Sequence, residues 1–171
     1  MIKENIDYKT RMVTLTGVLT AMTVIFTAYI LHIPVGANGG YVHFGDSVIY
    51  LAAALLPTPY ALAVGALGGG IADLLTAPMW TIPTIIIKML IVLPFTSHGK
   101  TLLNKRNLAA PVASFFISSI GYYVAEVIMF GSKTAIISAL SGSVVQSAGS
   151  AVFFYLAAAA FDNKGIKKKL F

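Results

Sequence analysis

The chain has 171 residues, 57% of them hydrophobic and 11% charged, with a formal net charge of +6. A soluble domain carries about 25% charged residues, so this chain lacks the polar groups to cover a water-facing surface, and its apolar content excludes disorder. The absence of cysteine excludes disulfide frameworks, thiolate metal sites, iron–sulfur clusters and cysteine nucleophiles together. The composition is that of an integral membrane protein.

A bilayer core of about 30 Å takes roughly 20 apolar residues per helix. Residues 12–31 supply the first such run, uncharged and preceded by Lys3, Lys9 and Arg11. It exceeds the apolar region of a signal peptide, about 7–15 residues, and reads as a retained helix. Residues 33–45 turn to Gly, Pro, Asn and aromatic residues, which is loop chemistry. A second apolar run opens at Asp46 and stops at Pro57-Thr58-Pro59, where two prolines impose a turn; it is short for a span. Residues 60–76, 80–97, 108–130 and 134–161 give four further runs.

The predicted fold is all-α, a single membrane domain over residues 1–171 with six transmembrane helices, an outer Gly-rich loop at 33–45 and a basic tail at 162–171. Lys3, Lys9, Arg11, Lys100, Lys105, Arg106, Lys164, Lys167, Lys168 and Lys169 fall on one side, against Lys133 in the loops of the other. The positive-inside rule therefore predicts cytoplasmic N and C termini. Attraction to anionic lipid accounts for the basic tail, and no nucleic-acid partner is expected.

Charged residues inside a membrane are costly and are functional hypotheses by default. Asp46, Asp73, Lys88 and Glu126 qualify. At about 1.5 Å per helical residue, Asp46 falls at the outer face, Asp73 and Glu126 some 5–6 Å deep and Lys88 some 12 Å deep. The inner half has no ionisable residue, so the pattern predicts a cup that opens outward and is sealed below. Ser118, Tyr122 and Glu126 share one helix face, and Ser143, Gln146, Ser147 and Ser150 follow helical spacing on the last helix. Glycines in the 36–44 loop permit close approach to a ligand, and short or Gly-interrupted segments mark binding sites in transporters.

The candidate substrate contacts are Asn38, Tyr41, His43, Asp46, Tyr50, Asp73, Trp80, Lys88, Tyr122, Glu126 and Gln146. Plainer roles stand beside these. Asp46, or Ser47 in its place, could cap the second helix. Lys88 could pair with Asp73 or Glu126, since buried charges are normally paired. The serines could serve helix packing, as could Gly65-x-x-x-Gly69, and Trp80 and Tyr41 could be interfacial anchors. His32 and His43 lack a metal-spaced partner, so no metal site is expected.

Catalytic motifs are missing. His98-Gly99-Lys100-Thr101 resembles a phosphate loop only in part, because its leading glycine would fall at Pro94. No catalytic residue and no enzyme activity are expected, and uphill transport would draw its energy from another subunit.

The segment Asn38-Gly-Gly-Tyr-Val-His-Phe-Gly-Asp46, together with Tyr50 to Leu56, Gly65 to Leu75 and Pro83 to Lys88, resembles substrate-binding S components of energy-coupling factor vitamin transporters. Within them it is similar to the branch for hydroxymethylpyrimidine or vitamin B6 compounds such as pyridoxine. The resemblance implies high-affinity capture of a small vitamin at the outer side of a bacterial plasma membrane. It also implies a transmembrane coupling (T) subunit and two cytoplasmic ATPases that use the ATP, with no cofactor bound by this chain. Gly17-Val-Leu-Thr-Ala21 matches the family's A-x-x-x-A contact with the coupling subunit, with Gly for the first Ala. The alternatives are an autonomous proton-coupled carrier with Lys88 and Glu126 as relay, and a membrane enzyme using Asp73 and Glu126.

Overall fold

The computed structural model describes residues 2–30, 32–35, 40–131 and 135–170. Its helices are α1 (Ile2–Ala28), α2 (Gly45–Leu55), α3 (Thr58–Thr76), α4 (Thr81–Leu90), α5 (Lys105–Phe130), α6 (Ala135–Asn163) and α7 (Ile166–Leu170). The one non-helical element among the described residues is a two-stranded antiparallel hairpin, β1 (Ile33–Val35) with β2 (Gly40–Val42), in the register Ile33 to Val42. The 33–45 loop is therefore partly ordered by strand pairing, which satisfies backbone groups that an open loop would leave bare.

Among the described residues, four helices are long and apolar enough to cross a bilayer: Asp7–Ala28 within α1, Thr58–Thr76, Lys105–Phe130 and Ser143–Asn163 within α6. Gly45–Leu55 and Pro78–Leu90 are shorter apolar helices. The outer surface of the bundle is apolar: Ile128 is 78% exposed, Ile82 73% and Leu156 66%. The interior instead holds Asp46, Asp73, Lys88, Glu126 and Gln146. That inversion fits hydrocarbon outside and a polar site within.

α2 is the central element, with all eleven of its residues buried. At about 1.5 Å per residue it is roughly 16 Å long, half a bilayer core. α4 ends at Leu90, seven residues before the predicted end at 97. Pro94 cannot donate to an α-helical ladder, and the chain tightens into i to i−3 bonds, Leu93 N–H to Leu90 O at 3.2 Å and Phe95 N–H to Val92 O at 3.1 Å. α5 closes on Gly131 at φ 62°, a left-handed cap that glycine adopts without a Cβ penalty.

Close helix approach follows the small residues. A Cβ at Gly65 would lie 2.6 Å from the Lys88 carbonyl oxygen, and one at Gly69 would lie 2.7 Å from Lys88 Cγ. The expected Gly65-x-x-x-Gly69 packing thus receives α4, and the stem of Lys88 lies over glycine.

One end of the bundle is closed by a polar lattice. The Asp162 carboxylate accepts the Leu102 N–H at 2.7 Å and the Leu103 N–H at 2.9 Å. Lys167 Nζ donates to the Ser97 carbonyl at 2.6 Å and the Ala54 carbonyl at 3.3 Å, while Arg11 reaches the Leu170 carbonyl at 2.7 Å. Partial burial draws the Lys167 ammonium below its ordinary pKa, opposed by Asp162. These bonds bring the chain's two ends and the α4–α5 connection, the basic segments of the sequence, to one face. Asn107, fully buried, bonds Thr96 N, Thr96 O and Leu102 O, each at 2.8 Å. Asn107→Ala leaves those backbone groups unpaired and should lower stability by about 1–3 kcal/mol, read as a fall in melting temperature in detergent.

Candidate functional site

The site is built around the first turn of α2. Phe44 occupies the N-cap position without a side-chain bond. The His43 ring does the capping instead, its Nδ1 accepting the Gly45 N–H at 3.0 Å. Ser47 turns back, donating its hydroxyl to the Phe44 carbonyl at 2.7 Å. Neither Asp46 nor Ser47 therefore caps the helix, and the Asp46 carboxylate is left for tertiary contacts. Its Oδ1 lies 2.6 Å from Lys88 Nζ, and its Oδ2 accepts from Gln146 Nε2 at 2.8 Å.

This pairing gives Lys88 a partner, Asp46, that the sequence did not offer beside Asp73 and Glu126. It also moves Asp46 inward. Gln146 lies deep along α6, eleven residues past Ala135, or roughly 16 Å at helical rise. The chain entering α2 penetrates to that level: a Cβ at Gly149 would collide with the Phe44 ring, which also packs on Phe153 at 5.2 Å. Irregular backbone at such depth is tolerated where protein buries it.

Aromatic residues wall the ion pair. Lys88 Nζ lies 5.5 Å from the Tyr122 ring centroid, a cation–π distance. The Tyr122 hydroxyl is 3.1 Å from Thr84 Oγ1. The Trp80 ring lies 5.9 Å from both Tyr122 and Phe130. Trp80 is buried, so it is a wall of the bundle interior and not an interfacial anchor. Asp73 is buried near enough to act electrostatically on Lys88 and Tyr122. Glu126 is buried one turn beyond Tyr122 on α5.

Tyr50 is placed differently from the rest. Its ring stacks on Phe95 at 5.0 Å and meets Phe154 edge-on at 6.1 Å, one turn along α2 from Asp46. It belongs to the aromatic core beneath the polar cluster. Ser143, Ser147 and Ser150 are buried on α6, in keeping with packing. Asn38 lies outside the described residues, and of Tyr41 only the backbone position, paired with Pro34 in the hairpin, is described. Thr84 and Phe44 are participants that sequence reasoning missed. Thr84 sits four residues before Lys88, one turn away on the same face, and that spacing was a usable signal. Phe44 carried none.

Gly17 and Ala21 are exposed on α1, and a Cβ at Gly17 would meet nothing within 4 Å. Packing within this chain's own bundle does not occupy that stripe.

Comparison with known proteins agrees with this architecture. The family model for the ECF-type riboflavin transporter, S component, matches residues 7–162. An uncharacterized protein in a gap 3′ region from Pyrococcus woesei is 28% identical over 131 residues, which cover 71% of this chain and 88% of that protein. A polar cluster sealed inside an apolar helical bundle is what a substrate-binding membrane subunit requires, and the match spans every element that builds it: the chain belongs to the ECF-type riboflavin transporter S component family, substrate-binding subunits of ECF transporters.

Proposed function

We propose that this chain is the high-affinity capture subunit of an ATP-driven importer and takes a small heteroaromatic vitamin or vitamin precursor from the outer side of the plasma membrane. The observation that carries the reading is the buried Asp46–Lys88–Gln146 cluster beside the Trp80 and Tyr122 rings. Ligand sites combine apolar and aromatic walls with a few convergent polar groups. Ring faces suit a flat heterocycle, and carboxylate, ammonium and amide together offer donors and acceptors to ring nitrogens and hydroxyls. Entry is on the side of the 33–45 segment, whose Asn38, Tyr41 and His43 are proposed contacts, and Asp73 and Glu126, both buried, complete the polar wall.

The single-ring compounds hydroxymethylpyrimidine and pyridoxine are our first reading of the substrate, from the sequence resemblance. Riboflavin, the compound in the matched family's name, is the second. Mass spectrometry of the compound that copurifies with the chain decides between them: a flavin mass overturns the first, a pyrimidine or pyridine mass the second. An empty protein that binds none of the three on titration overturns heteroaromatic capture.

Both termini are assigned to the cytoplasm, which the clustering of Arg11, Lys164 and Lys167–Lys169 near one face supports. A cysteine at Asn38 should then be labelled from outside intact cells and one at Lys168 only after permeabilisation. The reverse pattern would turn the site inward. Energy comes from the partners, a coupling subunit and two ATPases, because the chain carries no nucleotide-binding motif.

A further inference from the structure

A concavity lies on the outside of the bundle, between α5 and α6. It is a groove of about 350 Å³, running from Val144 to Tyr155 on α6 and from Pro111 to Phe115 on α5. Its cause is local: Ala148 and Ala151 on α6 are too small to fill the space beside Pro111. Val112, 60% exposed, forms part of its rim, so the groove opens on the surface that faces hydrocarbon. At one end the Tyr155 hydroxyl donates to the Leu108 carbonyl at 2.7 Å, joining the two helices there.

Beyond that end, six residues before Pro111 and roughly 9 Å along α5, stands Lys105. It is exposed and has no ion-pair partner among the described residues. Its neighbour Arg106 is committed, donating to the Pro94 carbonyl at 2.7 Å and the Leu93 carbonyl at 2.9 Å. Lys105 opens α5, the helix end where the macrodipole disfavours a cation, and an anion beside it offsets that cost. An apolar groove of membrane-facing residues thus points toward a cation with no ion-pair partner among the described residues, on the face that gathers the basic segments.

We propose that this groove holds one acyl chain of an anionic phospholipid whose headgroup sits at Lys105, a lipid site separate from the substrate site. The chain fills the space beside Ala148 and Ala151, and the headgroup phosphate meets the ammonium at the interface.

Native mass spectrometry of the full chain in detergent tests this, with phosphatidylglycerol or phosphatidylcholine of identical acyl chains added. The wild type should retain one phosphatidylglycerol in preference to phosphatidylcholine by roughly fivefold, the worth of one lysine at an anionic surface. Ala148→Leu with Ala151→Leu, both on the half-exposed or exposed side of α6, should lose retention of both lipids. Lys105→Gln should keep a bound lipid but lose the preference. This exposed substitution carries the test if the double variant does not fold. Equal retention of the two lipids by the wild type, or unchanged lipid in the filled groove, overturns the proposal. So does a filled groove that keeps its lipid but no longer binds the coupling subunit or a second copy, since the groove would then be a protein interface.

Discussion

Lys88→Met is expected to abolish substrate binding and to lower stability by about 3–5 kcal/mol, the cost of leaving a buried carboxylate without its cation. Asp46 is fully buried and Lys88 is 1% exposed, so bulk solvent does not screen the charge left behind. The Gln146 amide at 2.8 Å cannot neutralise the charge. The double variant Lys88→Met with Asp46→Leu removes both charges and should regain most of that stability, because a well-packed apolar pair often matches a buried ion pair. It should not regain binding. Thermal unfolding in detergent and titration with hydroxymethylpyrimidine, pyridoxine and riboflavin read the two effects separately. A double variant that folds and still binds at wild-type strength would make the pair purely structural and remove it from the site.

The second large effect separates binding from transport. Gly17→Leu and Ala21→Leu should leave substrate titrations unchanged and abolish association with the coupling subunit, and with it uptake by the reconstituted complex. The two residues are one turn apart and exposed. Small residues at that spacing let a second membrane helix come close, and a leucine would hold it away. The space around Gly17 is open and Ala21 is exposed, so both positions have room for a larger side chain. Loss of substrate binding in the isolated variants would place the stripe in the chain's own packing. Unchanged uptake would remove it from coupling.

Much of this protein could be read from its residues in order. Low charge and long apolar runs require a membrane interior, because nothing else buries so much apolar surface in 171 residues. Proline pairs and glycines bounded α2 and α3 to within a few residues, since their effects on the backbone are local. The shared face of Tyr122 and Glu126 and the inward position of Gln146 follow from helical periodicity. The close approach of α4 to Gly65 and Gly69 was likewise legible, because a missing Cβ is a property of the residue itself.

The partner of Lys88 was not legible. Asp73, Glu126 and Asp46 are equally acidic in sequence, and counting residues from each helix end set Asp46 at the outer face, too far to compete. Only the packing of Phe44 against Gly149 and Phe153 shows that the chain dips before α2 begins and carries Asp46 to the level of Gln146. His43 takes over the helix cap, which frees the carboxylate, and that exchange depends on a ring placed by a β-hairpin. Tyr50 reads as a site residue beside Asp46, yet its ring is held by Phe95 and Phe154 from elsewhere in the chain. Residue type and periodicity determined which groups are inside and on which face of their own helix. Which of them touch depended on the relative depth of separate helices, a property of packing between segments that no single segment encodes.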